Sequence, residues 1–274
     1  MTREEVSVAP QVQLKRWTTA LMVLGGVVPL LIWGGQWLFL LLCCTVVVLC
    51  ELEYERLSGM AVRRGTRVTG IVAALSMPVG AMAAGERGLM MALVGILFFR
   101  MTLEMLGRAQ LDGVLQDLGT RMVGYIYGAM LPSYFVLIWR IPDGTRWILL
   151  TIAVTAIGDT AAYYAGSLWG RHKLRPRISP HKTVEGALAG LAGNLLGGLV
   201  CAALFFPGRL TTVGLFLPLA IGAAGQVGDL CESMLKRAAG VKDSGGILPG
   251  HGGVLDRLDS LLFSAPVVYY WVAL

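Results

Sequence analysis

Long apolar runs separated by short polar joints constrain this chain more than anything else in it. Runs able to act as helical membrane spans fall near residues 17–33, 36–51, 68–84, 88–106, 120–139, 146–166, 183–204, 210–230 and 260–274. A hydrocarbon core of ~30 Å takes about 20 residues of α-helix to cross. The expected fold class is therefore an all-α polytopic integral membrane protein with about nine transmembrane helices. Composition agrees, since the 274 residues are 55% hydrophobic and 15% charged, against roughly 25% charged in soluble domains. The mean hydropathy is +0.68. Lys15 and Arg16 precede the first run as they would in a signal peptide. That run, however, leads through Gly34-Gly35-Gln36-Trp37 into a second apolar stretch without a small-x-small cleavage site, so a retained first span is expected.

Charge sets the orientation. If each run crosses once, all of the 23 Lys and Arg residues but Arg87, Arg140, Arg146 and Arg209 lie on one side. The positive-inside rule makes that side cytoplasmic, so the N-terminus is expected in the cytoplasm and the C-terminus outside. The division expected is a cytoplasmic arm at 1–16, N-terminal transmembrane helices at 17–154, and a region at 155–274 carrying two long cytoplasmic loops, 167–182 and 231–259. The net charge of +6 fits loops facing anionic lipid and calls for no nucleic-acid partner. Cys43, Cys44, Cys50 and Cys201 lie in apolar runs and Cys231 follows one, with no CxxC pair. They read as reduced thiols rather than a disulfide framework. The three histidines form no HExxH, which disfavours a zinc site.

Three polar features converge on the expected cytoplasmic face. Asp159, in Gly158-Asp159-Thr160, interrupts an apolar span, and an intramembrane carboxylate is expensive unless it is paired or binds a cation. In the loop 170–186, Ser179-Pro180-His181-Lys182-Thr183 precedes Glu185. Ser179 or Thr183 can cap a helix there, and exposed N–H groups would favour an anion, so Ser179, Lys182 and Thr183 are candidate phosphate ligands. The third feature runs from Asp229 through the glycine-rich stretch to Asp256 and Asp259. Spacing of three places Asp256 and Asp259 on one helix face. Carboxylates from separate helix ends can gather around a hard cation, and Mg²⁺ is commonly held by one or two carboxylates plus substrate phosphates. A Walker loop, a GxGxxG turn and a GxSxG elbow are all missing, which disfavours P-loop NTPases, Rossmann enzymes and serine hydrolases.

The run Ser233, Lys236-Arg237, Lys242-Asp243, Pro249, His251-Gly252-Gly253, Asp256-Arg257 and Asp259 resembles the signature of the phosphatidate cytidylyltransferases, or CDP-diacylglycerol synthases. Residues 158–166 and 179–183 resemble two further blocks of that family, the likeness being clear over 155–265. The resemblance implies a nucleotidyltransferase in bacterial phospholipid synthesis, sited in the cell (inner) membrane with its active site facing the cytoplasm. Its partners would be CTP and phosphatidate, its cofactor Mg²⁺, and its products CDP-diacylglycerol and pyrophosphate. On that basis Asp229 and Asp256 are expected to hold the metal, with Asp159 or Asp259 assisting. Lys236, Arg237, Lys242 and Arg257 would bind the triphosphate or the lipid phosphate, together with Ser179, Lys182 and Thr183. His251 would orient a carboxylate or phosphate, Asp243 belongs to the same catalytic set, and Gly252 and Gly253 would let the backbone approach the ligand. A homodimer is compatible with the family and with the small-residue spans. Competing readings are a CTP-dependent enzyme, cytidylyltransferase or kinase, acting on another lipid or a polyprenol, and a transporter. The concentration of polar residues at one interface speaks against the transporter.

Overall fold

The structure is a computed structural model that describes residues 25–59, 64–107, 112–209, 213, 215–247 and 252–273. The expected arm at 1–16, the start of the first span, the start of the 210–230 span, and the signature residues Pro249 and His251 lie outside the described residues.

A helical stretch over 25–33 leads through Gly35, at φ +68°, into α1 (Gly35–Leu57). The following helix, α2 (Arg64–Gly107), is broken at Gly85, where φ 65° and ψ −143° suit glycine alone. The chain doubles back there: a Cβ on Gly80 would lie 2.6 Å from the Gly88 carbonyl oxygen, whereas residues eight apart on a straight helix are about 12 Å apart. The two apolar runs at 68–84 and 88–106 are thus the two arms of α2. Next, α3 (Val114–Gly124), a π-helical turn (Tyr125–Met130) and α4 (Leu131–Arg140) follow one another without a gap. A turn with Asp143 at φ 58° leads into α5 (Gly144–Trp169). The remainder is a β-hairpin of β1 (Lys173–Arg175) and β2 (Ser179–Thr183), then α6 (Val184–Phe205), α7 (Phe216–Ala238) and α8 (Leu255–Ala273).

Among the described residues, five helical stretches are long and apolar enough to cross a membrane: Gly35–Leu57, Gly65–Gly107, Val114–Arg140, Gly144–Trp169 and Val184–Phe205. Their outward faces are greasy, with Trp37, Met91, Leu115, Leu196 and Leu204 all between 64 and 85% exposed. Water would not tolerate so much contiguous apolar surface, but lipid would. The molecule is an all-α membrane protein with one small hairpin inserted. That hairpin occupies the expected loop 167–182, Lys173 pairing with Thr183 and Arg175 with Ser179. The helix expected at 210–230 runs on to Ala238, because the segment after Asp229 contains strong helix formers and ends only at Gly240, where φ is +68°.

Close helix approach builds the site region. On α6, a Cβ at Gly193 would meet the Ala161 methyl of α5 at 2.6 Å, so these two helices pack backbone to backbone. Buried Asn194 fixes the pair by donating to the Val154 carbonyl at 3.0 Å. Likewise Gly228 of α7 lies against Phe263 of α8, and Ser264 of α8 donates to Ile221 of α7 at 3.1 Å. At one end of the bundle Tyr54 reaches Thr120, Arg237 reaches Ile178, and Lys182 reaches Asp229. At the other end Arg140 caps the first arm of α2 at Ala81, and Tyr270 donates to Glu86.

Candidate active site

Thr183 has an extended backbone (φ −124°, ψ 155°) and its hydroxyl accepts the Gly186 N–H at 3.1 Å, making it the N-cap of α6. Glu185 holds the hairpin to that cap by accepting the backbone N–H groups of Arg171 and His172 at 3.1 and 3.2 Å. The hairpin thereby carries Lys182 across to Asp229 on α7, with which it forms an ion pair.

A cavity of about 780 Å³ opens at this end, large enough for a nucleotide-sized ligand. Asp159 and Tyr163 enter it from α5, Lys173 from β1, Lys182 and Thr183 from β2, Gln226 and Asp229 from α7, and Asp256, Arg257, Asp259 and Ser260 from α8. Asp159, Asp229 and Asp259 lie within each other's electrostatic reach, and Lys182 offsets them in part. Three carboxylates around one ammonium leave an excess of negative charge, which fits a bound cation. Among the described residues no three His, Cys, Asp or Glu side chains form a ready-made metal cage. A hard cation at Asp229 would therefore need most of its ligands from substrate oxygens.

Asp256 is arranged differently. Its Oδ1 accepts from Lys236 at 2.7 Å, while its Oδ2 accepts from the Ser244 N–H at 2.9 Å and the Gly253 N–H at 2.8 Å, and lies 2.9 Å from the Ser244 hydroxyl, whose one proton it shares with Glu53. Lys236 also pairs with the wholly buried Glu232. Asp256 sits in the first turn of α8, before its apolar stretch. Burial works against its charge, yet these donors and the neighbouring Glu232 carboxyl outweigh that and hold it down at about 2. The first N–H groups of α8 are also taken: Glu53, from α1, accepts those of Val254 and Leu255 at 2.9 Å each. The end of α8 that would attract a phosphate is thus already satisfied by two carboxylates. The cationic side chains that line the cavity are those of Lys173, Lys182 and Arg257.

The cavity brings together Asp159, Lys182, Thr183, Asp229, Asp256, Arg257 and Asp259 of the residues singled out in the sequence. Ser179, Lys236, Arg237, Lys242, Asp243, Gly252 and Gly253 stand outside its lining. Lys236 is engaged with Asp256, and Arg237 donates to the Ile178 carbonyl at 3.3 Å, tying α7 to the hairpin. Lys242 and Asp243 are exposed, and Gly252 takes φ +77°, so the chain turns there as only glycine does easily. Sequence reasoning missed Glu53, Lys173, Gln226 and Glu232. The signal that could have found Glu53 is the pair of acids, Glu51 and Glu53, at the end of an apolar run.

Fold and cavity together define a multi-pass membrane protein with a cavity lined by carboxylates and cations at one end of its helix bundle. The chain belongs to the cytidylyltransferase family, whose pattern it matches over residues 14–274. It is 34% identical over 260 residues to the phosphatidate cytidylyltransferase of Staphylococcus haemolyticus, covering 92% of this chain and 96% of that protein. It is 40% identical over 187 residues to the one of Synechocystis sp., covering 58% of this chain and 64% of that protein. With the Bacillus subtilis enzyme of the same name it shares 42% over 163 residues, 58% of this chain and 59% of that protein. The matched part therefore spans less than two thirds of the last two proteins and nearly all of the first. The family resemblance drawn from residues 233–259 is confirmed.

Proposed function

We propose that this chain transfers the cytidylyl group of CTP to the phosphate of phosphatidate, giving CDP-diacylglycerol and pyrophosphate. The observation that carries this reading is the large cavity at the bundle end, where carboxylates and cations meet within reach of both a lipid phosphate and a soluble nucleotide. In it, an oxygen of the lipid phosphate attacks the α-phosphorus of CTP. The bond from that phosphorus to the bridging oxygen breaks, and pyrophosphate leaves with the electron pair. The lipid phosphate is already an anion near neutral pH, so no strong general base is needed. Catalysis is positioning and charge neutralisation.

Lys182, held at the edge of β2, and Arg257, on α8, bind and orient phosphate oxygens, with Lys173 at the cavity mouth. Asp229, assisted by Asp159 or Asp259, would hold Mg²⁺, whose remaining ligands would be substrate phosphate oxygens. Asp256, the other expected ligand, has both oxygens engaged by donors, so it anchors the loop. A bound divalent cation supplies neutralisation of the phosphate charge that builds up in the transition state. The cavity faces the cytoplasm of a bacterial inner membrane in a chain of about nine crossings with its N-terminus inside. The clustering of Lys and Arg at the same end as the cavity supports that orientation.

The test is incubation of purified protein with CTP labelled in the α-phosphate, Mg²⁺ and a panel of lipid phosphates that includes phosphatidate and a polyprenyl phosphate. Label entering phosphatidate with release of pyrophosphate is the expected result. Label entering only the polyprenyl lipid changes the substrate, and no lipid labelling overturns the reading.

A further inference from the structure

Glu53 belongs to α1, far from the glycine-rich stretch in sequence, yet its carboxylate is wholly buried within that stretch. Its Oε1 accepts the Val254 N–H, and its Oε2 accepts the Leu255 N–H and the Ser244 hydroxyl, all at 2.9 Å. A buried carboxylate is costly unless hydrogen bonds satisfy it, and bonds to a charged acceptor are roughly twice as strong as neutral ones. Simple capping of α8 would need only a serine or threonine beside the helix. What a carboxylate from another helix adds is two oxygens that clamp separate segments, the first turn of α8 and residue 244, onto one fixed point.

The surrounding sequence is shaped to admit it. A Cβ on Gly245 would lie 2.6 Å from Glu53 Oε1, and one on Gly253 would collide with Oε2. Gly253, expected to let the backbone approach a ligand, therefore lies against this carboxylate instead, with Gly245 beside it. Ser244 continues the link, since its hydroxyl lies 2.9 Å from Glu53 Oε2 and 2.9 Å from Asp256 Oδ2. Beyond Asp256, Arg257, Asp259 and Ser260 enter the cavity from the same first turns of α8.

We infer that Glu53 is a positioning residue for the transfer reaction: it locks the start of α8 and Ser244 together and so fixes how Arg257 and Asp259 enter the cavity. This rests on the cavity being the reaction site. Glu53 is not among the residues that line the cavity, so its loss is expected to lower turnover more than substrate binding.

The experiment compares full-length wild-type, Glu53→Gln, Glu53→Asp and Ser244→Ala proteins purified in detergent. Glu53→Gln is expected to lower kcat at least about tenfold with both KM values within about twofold, and Glu53→Asp to recover part of that loss. Ser244→Ala, which keeps every backbone bond, should lower kcat about threefold or more with unchanged thermal unfolding. It should add less than about twofold on top of Glu53→Gln, since both act through one link. Hydrogen exchange of the peptide spanning 244–258 reports on the clamp without turnover, and faster exchange confined to that peptide is expected in Glu53→Gln. Wild-type kcat in a folded Glu53→Gln protein, or unchanged exchange of that peptide, overturns the inference. Should Glu53→Gln not fold, Ser244→Ala decides alone, and full kcat in it is equally fatal. If Glu53→Gln loosens that peptide as expected but the wild-type protein itself transfers nothing, the reaction assignment is defeated instead.

Discussion

Asp229 pairs with Lys182, and both side chains are about 30% exposed, at 31% and 29%. Asp256 lies deeper and receives hydrogens from Lys236, Ser244 and Gly253. The same substitution therefore has different consequences at the two positions. Asp229→Asn removes charge from a solvated site, so CDP-diacylglycerol formation should fall by a factor of about 100 or more while thermal unfolding hardly moves. Asp256→Asn sets an amide donor against groups that are themselves donors. It should lose activity and also about 1–3 kcal/mol of stability, read as a clear drop in unfolding temperature. Equal stability in the two variants would remove the distinction drawn between ligand and anchor. Lys182→Ala should raise KM for at least one substrate about tenfold or more, since a phosphate contact worth about 1.5 kcal/mol or more is lost. Steady-state kinetics on both substrates would check it. Unchanged KM values would remove Lys182 from phosphate binding. The sequence made Asp159, Lys182, Asp229, Arg257 and Asp259 legible because each is a charge out of place in an apolar chain. It could not separate the duties of Asp229 and Asp256, because hydrogen-bond occupancy depends on how a loop folds back. Glu53 was less legible still, as its partners lie about 200 positions away.

Elements were read from the sequence with varying success, and the reason in each case is local. The break at Gly85 was visible because Gly85-Glu86-Arg87-Gly88 separates two apolar runs. The cap at Thr183 was visible because a hydroxyl stands just before an apolar helix with an acid in its first turn. The hairpin of β1 and β2 was not, since Arg-, Pro- and His-rich segments carry no alternating pattern. It forms because Glu185 gathers the N–H groups of Arg171 and His172, a tertiary cause. Packing of α5 on α6 is the element-level feature on which the cavity depends, since these helices carry Asp159 and follow Thr183. Gly193→Val would push a branched side chain into Ala161, where even a Cβ would lie 2.6 Å away. Overpacking of this kind costs about 1–3 kcal/mol. The expected outcome is lower thermal stability together with loss of transfer activity, whereas Gly95→Val, at a position where a Cβ meets nothing within 4 Å, should be silent in both assays.

Across the whole molecule, the two ends of the bundle differ in chemistry. One end gathers the cavity, the hairpin, and the Glu53 and Asp256 clamps. The other holds neutralising contacts such as Arg146 with Asp143, and Tyr270 with Glu86. Because Glu53 and Ser244 come from opposite halves of the chain, the apolar N-terminal helices are part of the site's scaffold as well as its membrane anchor. The charge asymmetry then predicts which end meets CTP. Arg177, exposed in the hairpin, and Arg146, exposed at the opposite end, can each be replaced by cysteine after the five native cysteines are changed to serine or alanine. Three of those five, Cys43, Cys50 and Cys201, are buried and pack in the apolar interior, so alanine suits them better than serine. In intact cells whose outer membrane has been opened, a membrane-impermeant maleimide should label Arg146→Cys and leave Arg177→Cys untouched. In inverted inner-membrane vesicles the pattern should reverse. Labelling of Arg177→Cys from the periplasmic side would place the cavity away from cytoplasmic CTP, and the orientation and the nucleotide assignment would fall together.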